Sequence, residues 1–173
     1  MKNLKLLPVL LLLPAVIFTS CSDLFNVTDD FVFTDQIVVA STTVNSYSVN
    51  KSIDLTTNQK FNDNKERIKD VSIEKIEFRI ENRGASAQTV SGFLLSETSG
   101  GTLHNENQQT VALSTYSDWT DITPVQATLD KLENLAKNSP HTLTVNASGS
   151  TDPGFPDFTI HIRITGKVTA SAI

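Results

Sequence analysis

From residue 158 the chain reads "FTIHIRITGKVT", with apolar and polar side chains taking turns. Phe158, Ile160, Ile162, Ile164 and Val168 share one parity; Thr159, His161, Arg163, Thr165, Lys167 and Thr169 share the other. Extended backbone points successive side chains to opposite faces, so this pattern demands a strand with one face buried and one in water. A chain built from such strands can bury its apolar faces only by packing sheet on sheet or by closing a barrel.

The pattern recurs along the chain. "FVFTDQIVV" sets Phe31, Phe33, Ile37 and Val39 on one face, and "YSVNKSIDL" does the same with Tyr47, Val49, Ile53 and Leu55. In "VSIEKIEFRIEN", Val71 and Ile73 hold one parity, whereas Ile76, Phe78 and Ile80 hold the other. A change of phase inside a strand predicts a bulge, because one extra residue flips every side chain that follows. "QTVSGFLLS", "QQTVALS" and "HTLTVNAS" are further strand candidates. The first two are separated by "ETSGGTLHNEN", which reads as the loop of a long hairpin and places His104 in that loop.

Two segments break the alternation. "TTNQKFNDNKERIKD" has helical spacing and many charges, predicting a short surface helix at about 58–68. "DITPVQATLDKLENLAKNSP" predicts an amphipathic helix at about 124–137. Thr123 reads as its N-cap, Pro124 as its first residue and Gln126 as the partner in a capping box. Val125, Leu129, Leu132 and Ala136 form its apolar stripe, and Asn138-Ser139-Pro140 ends it. The expected fold is therefore mainly β: an antiparallel β-sandwich of about six to seven strands with these two helices, a partly open barrel being the alternative.

The first twenty residues are different. Lys2 and Lys5 precede an apolar run from Leu6 to Phe18, then Thr19 and Ser20 lead to Cys21. The 13-residue run is interrupted by Pro8 and Pro14, and a bilayer span needs about 20 residues. The layout is that of a secretory signal peptide. "IFTSC" resembles the lipobox of bacterial lipoproteins, with Phe18 where Leu is usual. That resemblance implies cleavage before Cys21, acylation of Cys21 and a firm membrane anchor, since several buried chains hold where one is marginal. Ser22 rather than Asp follows the cysteine. Within the resemblance this favours the outer membrane over retention in the inner one. The "SDLF" stretch, with Asp29 and Asp30, is weakly similar to acidic signals that carry some lipoproteins to the cell surface. The expected organisation is a signal peptide at 1–20, a lipidated tether at 21–30 and a single sandwich domain at 31–173. The latter part also resembles small Gram-negative envelope lipoproteins in its alternation and single late helix.

Net charge is −5 for the whole chain, and the leader removes two lysines and no acid. No basic patch is available to displace phosphate counterions, which argues against a nucleic-acid partner. One cysteine excludes an internal disulfide and an all-cysteine zinc site.

Signals for chemistry are sparse. His104, His141 and His161 lie too far apart in sequence for a local metal motif, and His161 is expected to be a solvated outward residue. Asp118 with Asp121, and Asp152 with Asp157, are the carboxylate clusters, both explicable as turn residues. No nucleophile elbow, phosphate loop or zinc-protease helix is present. "TYSDWTD" holds the strongest binding signal: Tyr116, Asp118, Trp119 and Asp121 combine aromatic rings with carboxylates, a mixture suited to sugar rings or to a protein interface. A core or lid role for the single Trp competes with that reading. The expectation is a non-catalytic, lipid-anchored envelope protein without cofactor, binding a glycan or an envelope protein. A structural component of an outer-membrane complex is the alternative, and a hydrolase the third.

Overall fold

The computed structural model describes residues 26–40, 45–82, 88–97, 101–106, 109–151 and 157–172. The lipobox, Cys21 and Asp152 lie outside them. Nine strands run through the described residues: β1 (Asn26–Val39), β2 (Ser46–Asp54), β3 (Ile68–Asn82), β4 (Thr89–Glu97), β5 (Thr102–Asn105), β6 (Thr110–Ala112), β7 (Thr120–Ile122), β8 (Thr142–Ser150) and β9 (Phe158–Ser171). Sheet I has the order β1-β9-β3-β7; sheet II has the order β2-β8-β4-β5, with β6 also paired to β4. Every described pairing is antiparallel. The fold is an antiparallel β-sandwich.

The inward parities are those the alternation predicts. Phe31, Phe33, Ile37 and Val39 of β1, Ile76, Phe78 and Ile80 of β3, and Phe158, Ile160, Ile162, Ile164 and Val168 of β9 are all buried. Val90, Phe93 and Leu95 of β4 and Leu143, Val145 and Ala147 of β8 meet them from sheet II. The bulge in β3 falls where the parity changes: Ile73 pairs with Gly166 and Lys75 with Thr165, leaving Glu74 as the extra residue. Gly166 is required there, because a Cβ would collide with the Ser72 carbonyl oxygen and crowd the Phe31 ring.

Several elements differ from expectation. β1 begins at Asn26, so residues 26–30, expected in the tether, already pair with residues 171–167 of β9. The surface helix is a relay of a 3-10 turn, α1 (Gln59–Asn64) and a second 3-10 turn. Its Phe61 is wholly buried and meets Phe31 edge-on at 5.6 Å, so this surface helix also plugs the core. The hairpin after β4 has a much shorter loop than expected, because β5 starts its return at Thr102 and β6 completes it along the same edge of β4.

The late helix, α2 (Gln126–Lys137), starts two residues later than the Thr123 cap implies. Pairing of Ile122 with Ile76 keeps the chain extended, and Val125 remains extended at the N-cap with no capping side chain. Gln126 instead donates from Nε2 to Asp130 Oδ1 at 2.7 Å, and Val125 is 67% exposed rather than part of the buried stripe. Thr128, Leu132 and Ala136 form the buried face. Glu133 Oε1 accepts the Ile73 N–H at 2.8 Å, and Lys131 pairs with Glu97 at 3.3 Å. The helix therefore closes the open side of the sandwich, satisfying a β3 backbone donor that has no neighbouring strand.

Candidate binding site around Trp119

Trp119 is carried by a short strand that the alternation does not reveal. β7 pairs with β3 through Ile122–Ile76, Asp121–Glu77 and Thr120–Phe78. This anchors the chain at the free side of β3, and the preceding indole reaches over β3 onto the outer face of sheet I. There the Arg163 guanidinium of β9 lies 4.2 Å from the ring centroid, and that of Arg79 on β3 lies 5.3 Å from it. The cross-strand register explains the meeting: Glu77 pairs with Arg163 and Arg79 with His161, so the two arginines are diagonal neighbours on one face. Each cation over an indole face contributes about 0.5–2 kcal/mol, more as water is excluded.

An ion-pair ladder supports the cluster. Glu77 is only 4% exposed; its Oε2 accepts from Arg163 Nε at 2.7 Å, and its Oε1 pairs with Lys75 Nζ at 2.7 Å. Lys75 also reaches Asp121 at 3.0 Å. The Arg163 hydrogen bond is the main cause holding the Glu77 carboxyl at about 2; burial opposes it and Lys75 assists it. Hydrogen bonds to Glu77 and Asp121 raise the Lys75 ammonium above its ordinary value. His161 Nε2 lies 3.0 Å from Glu81 Oε2. Its side chain is only 15% exposed, so it is a packed partner of Glu81 rather than the freely solvated residue expected.

Beside this ladder lies an open groove of about 300 Å³ between β3, β7 and the start of α2. Ile73, Ile76, Ile122 and Leu129 supply its apolar lining, and Glu74, Lys75, Asp121 and Gln126 its polar margin.

The four residues of the sequence signal therefore separate. Trp119 is half-buried on the sheet, Asp121 is an exposed partner of Lys75, and Asp118 is exposed. Tyr116 is 7% exposed and faces the core, 4.9 Å from Phe78 and 6.1 Å from Phe93 between ring centroids. His104 joins the same cluster from β5, 4.8 Å from Phe78, with Nε2 held 2.8 Å from Glu106 Oε1. His141 is buried, with Nδ1–H donating to the Ala136 carbonyl. The three histidines thus serve three separate places. Thr159, expected outward, is 1% exposed. Lys75, Glu77, Arg79 and Arg163 carry no local motif; their outward parity was readable, but their convergence on Trp119 was not.

Among the described residues, no group of three His, Cys, Asp or Glu side chains could hold a metal ion. No described helix is long and apolar enough to cross a membrane.

No family model and no curated protein matches the chain. Among solved structures, the decameric BFDV capsid protein is similar over 84% of this chain and 98% of its own, at 13% identity and TM-score 0.43. A Desmodium yellow mottle tymovirus structure matches over 99% of this chain and 92% of its own, at 15% identity and TM-score 0.36. A turnip yellow mosaic virus structure covers 84% and 96%, at 10% identity and TM-score 0.38.

Proposed function

We propose that this chain is a non-catalytic, lipid-anchored binding module of the bacterial cell envelope, recognising its partner through the outer face of sheet I around Trp119. The half-exposed indole held over Arg163 and Arg79 is the observation that carries this reading. Trp and Arg are the side chains most often found where binding energy concentrates, and an indole braced by two guanidiniums loses little freedom when a partner arrives. The adjoining groove offers apolar surface next to it.

The anchor rests on the leader and Cys21. Only Ser22–Phe25 separate Cys21 from Asn26, the first residue of β1. At about 3.6 Å per residue, an acylated Cys21 would tether that end of sheet I within about 18 Å of the bilayer. On this reading the module sits close to the membrane that holds its anchor, which Ser22 in place of Asp favours as the outer one.

Two measurements test the reading. Alkyne-palmitate fed to the host should label the wild-type protein and not Cys21→Ala. A photo-crosslinking residue at exposed Asp118 should capture an envelope component, and Trp119→Ala should abolish that adduct while leaving the far-UV spectrum unchanged. Adducts that persist in Trp119→Ala would remove the site from the claim.

A further inference from the structure

Resting on the binding role of the Trp119 face, we infer that its ligand is an acidic sugar: a pyranose bearing a carboxylate, held by Arg79 and stacked on the indole. The side-chain contacts of the face lead there. Glu77 serves Arg163 and Lys75, Asp121 serves Lys75, and Glu81 serves His161. Arg79 is left over. Among the described residues no acid lies within ion-pair distance of it, its Nε is enclosed without a hydrogen-bond partner, and its guanidinium lies against the Trp119 ring. With Nε enclosed, an incoming carboxylate would meet the two terminal Nη groups, whose paired N–H donors still allow a bidentate contact. With Glu77, Glu81 and Asp121 standing beside Lys75, Arg79 and Arg163, the face offers no broad basic field for a polyanion.

The surroundings select a sugar over a peptide. Thr34 and Gln36 of β1 sit opposite Arg163 and His161 across β9, and both are exposed. These short hydroxyl and amide groups lie on a strand-built face and suit ring hydroxyls. The indole face, electron-rich at its centre, attracts the polarised C–H groups of a pyranose ring. An extended peptide would instead seek a free strand edge. Sheet I offers little of one: β7 is only 3 residues long, and along β1 Asn58 Nδ2 donates to the Val32 carbonyl at 3.0 Å, Asn64 bonds Asp29 at 3.0 Å, and Lys51 pairs with Asp35 at 3.1 Å.

Trp119 is the only tryptophan in the chain, so its fluorescence reports this site alone. The full-length protein, purified in detergent, is titrated with trigalacturonate, with the methyl ester of that sugar, and with a hexaglutamate peptide. Trigalacturonate should shift the Trp119 emission saturably, and the ester, lacking the charge, should bind about tenfold more weakly or worse. Arg79→Gln should cost about the same factor for the acid and nothing for the ester, while Arg79→Lys should fall between, because it keeps the charge and loses the fork. Unchanged far-UV spectra confirm that the variants fold. Equal binding of acid and ester, an undiminished response in Arg79→Gln, or a hexaglutamate response equal to the sugar's would each overturn the inference. Lack of response to trigalacturonate at millimolar concentration would also overturn it, and the Asp118 crosslink would then show separately whether the binding role survives.

Discussion

The two sheets follow one rule on their inner faces and two different ones outside. Sheet II presents Ser48, Asn50 and Ser52 of β2 beside Ser148, Asn146 and Thr144 of β8, a ladder of short uncharged groups. It is knitted by Asn146 Nδ2, which donates to Ser48 Oγ and Asn50 Oδ1, both at 2.9 Å. Sheet I presents Lys75, Glu77, Arg79, Glu81, His161, Arg163 and Lys167, with Lys167 paired to Glu74 at the bulge. Hydroxyls and amides satisfy one another without leaving a charge to be answered. A row of long charged side chains has a range of possible partners, and one of them, Arg79, ends up against an indole, with no carboxylate partner among the described residues. Both outer faces stabilise a sheet; in the function proposed above, only the second meets a partner.

The largest effect expected is on what the sheets share. Phe78 is fully buried and touches Phe93, Tyr116 and His104. Phe78→Ala should cost about 3–5 kcal/mol in denaturant unfolding. Trp119 emission, which reports sheet I, and far-UV dichroism, which reports both sheets, should still give coincident transitions. Separate transitions would mean that the two sheets do not share one cooperative core.

A smaller loss, confined to sheet I, is expected from Glu77→Gln. Two charge-assisted contacts disappear, but Lys75 and Arg163 can turn to water, so the loss should be about 1–3 kcal/mol at neutral pH. This change should also alter the acid response. The Glu77 carboxyl lies at about 2 in the fold against an ordinary 4.5. Its contribution is therefore complete above pH 4.5 and fades as pH falls towards 2, when the folded form must take up the proton it had resisted. Stability profiles of the wild type should steepen in that window, and those of Glu77→Gln should be flatter there. Parallel profiles would contradict the buried ion pair.

The smallest effect belongs to sheet II. Asn146→Ala removes two neutral hydrogen bonds at a half-exposed position, a loss of about 0.5–1.5 kcal/mol. It should leave Trp119 emission and the acid profile untouched. A change in either would show that the two faces are coupled through the core.

Much of the fold was legible because periodicity is local. The parity switch between Ile73 and Ile76 announced the bulge that Glu74 occupies. The alternation in β9 named its inward residues, with Thr159 the exception on the outward side. Capping signals at Thr123 and Pro124 were overridden, because pairing of Ile122 with Ile76 holds that stretch extended and delays α2. His104 was misplaced, and the burial of Phe61 was not foreseen, for a related reason: helical charge and glycine-rich spacing describe a segment's own surface, not the cavity that a distant strand leaves for one of its rings.

What the sequence determined by itself is the class of fold and the side of each principal strand that meets water, since both follow from a two-residue repeat that needs no distant partner. Only the tertiary structure decided that Trp119 would lie over Arg163 and Arg79, and that Tyr116 would turn inward to Phe78. Those meetings depend on strand order and register across β7, β3 and β9. Alternation specifies a face, whereas the neighbour across it is selected by the packing of the whole sandwich.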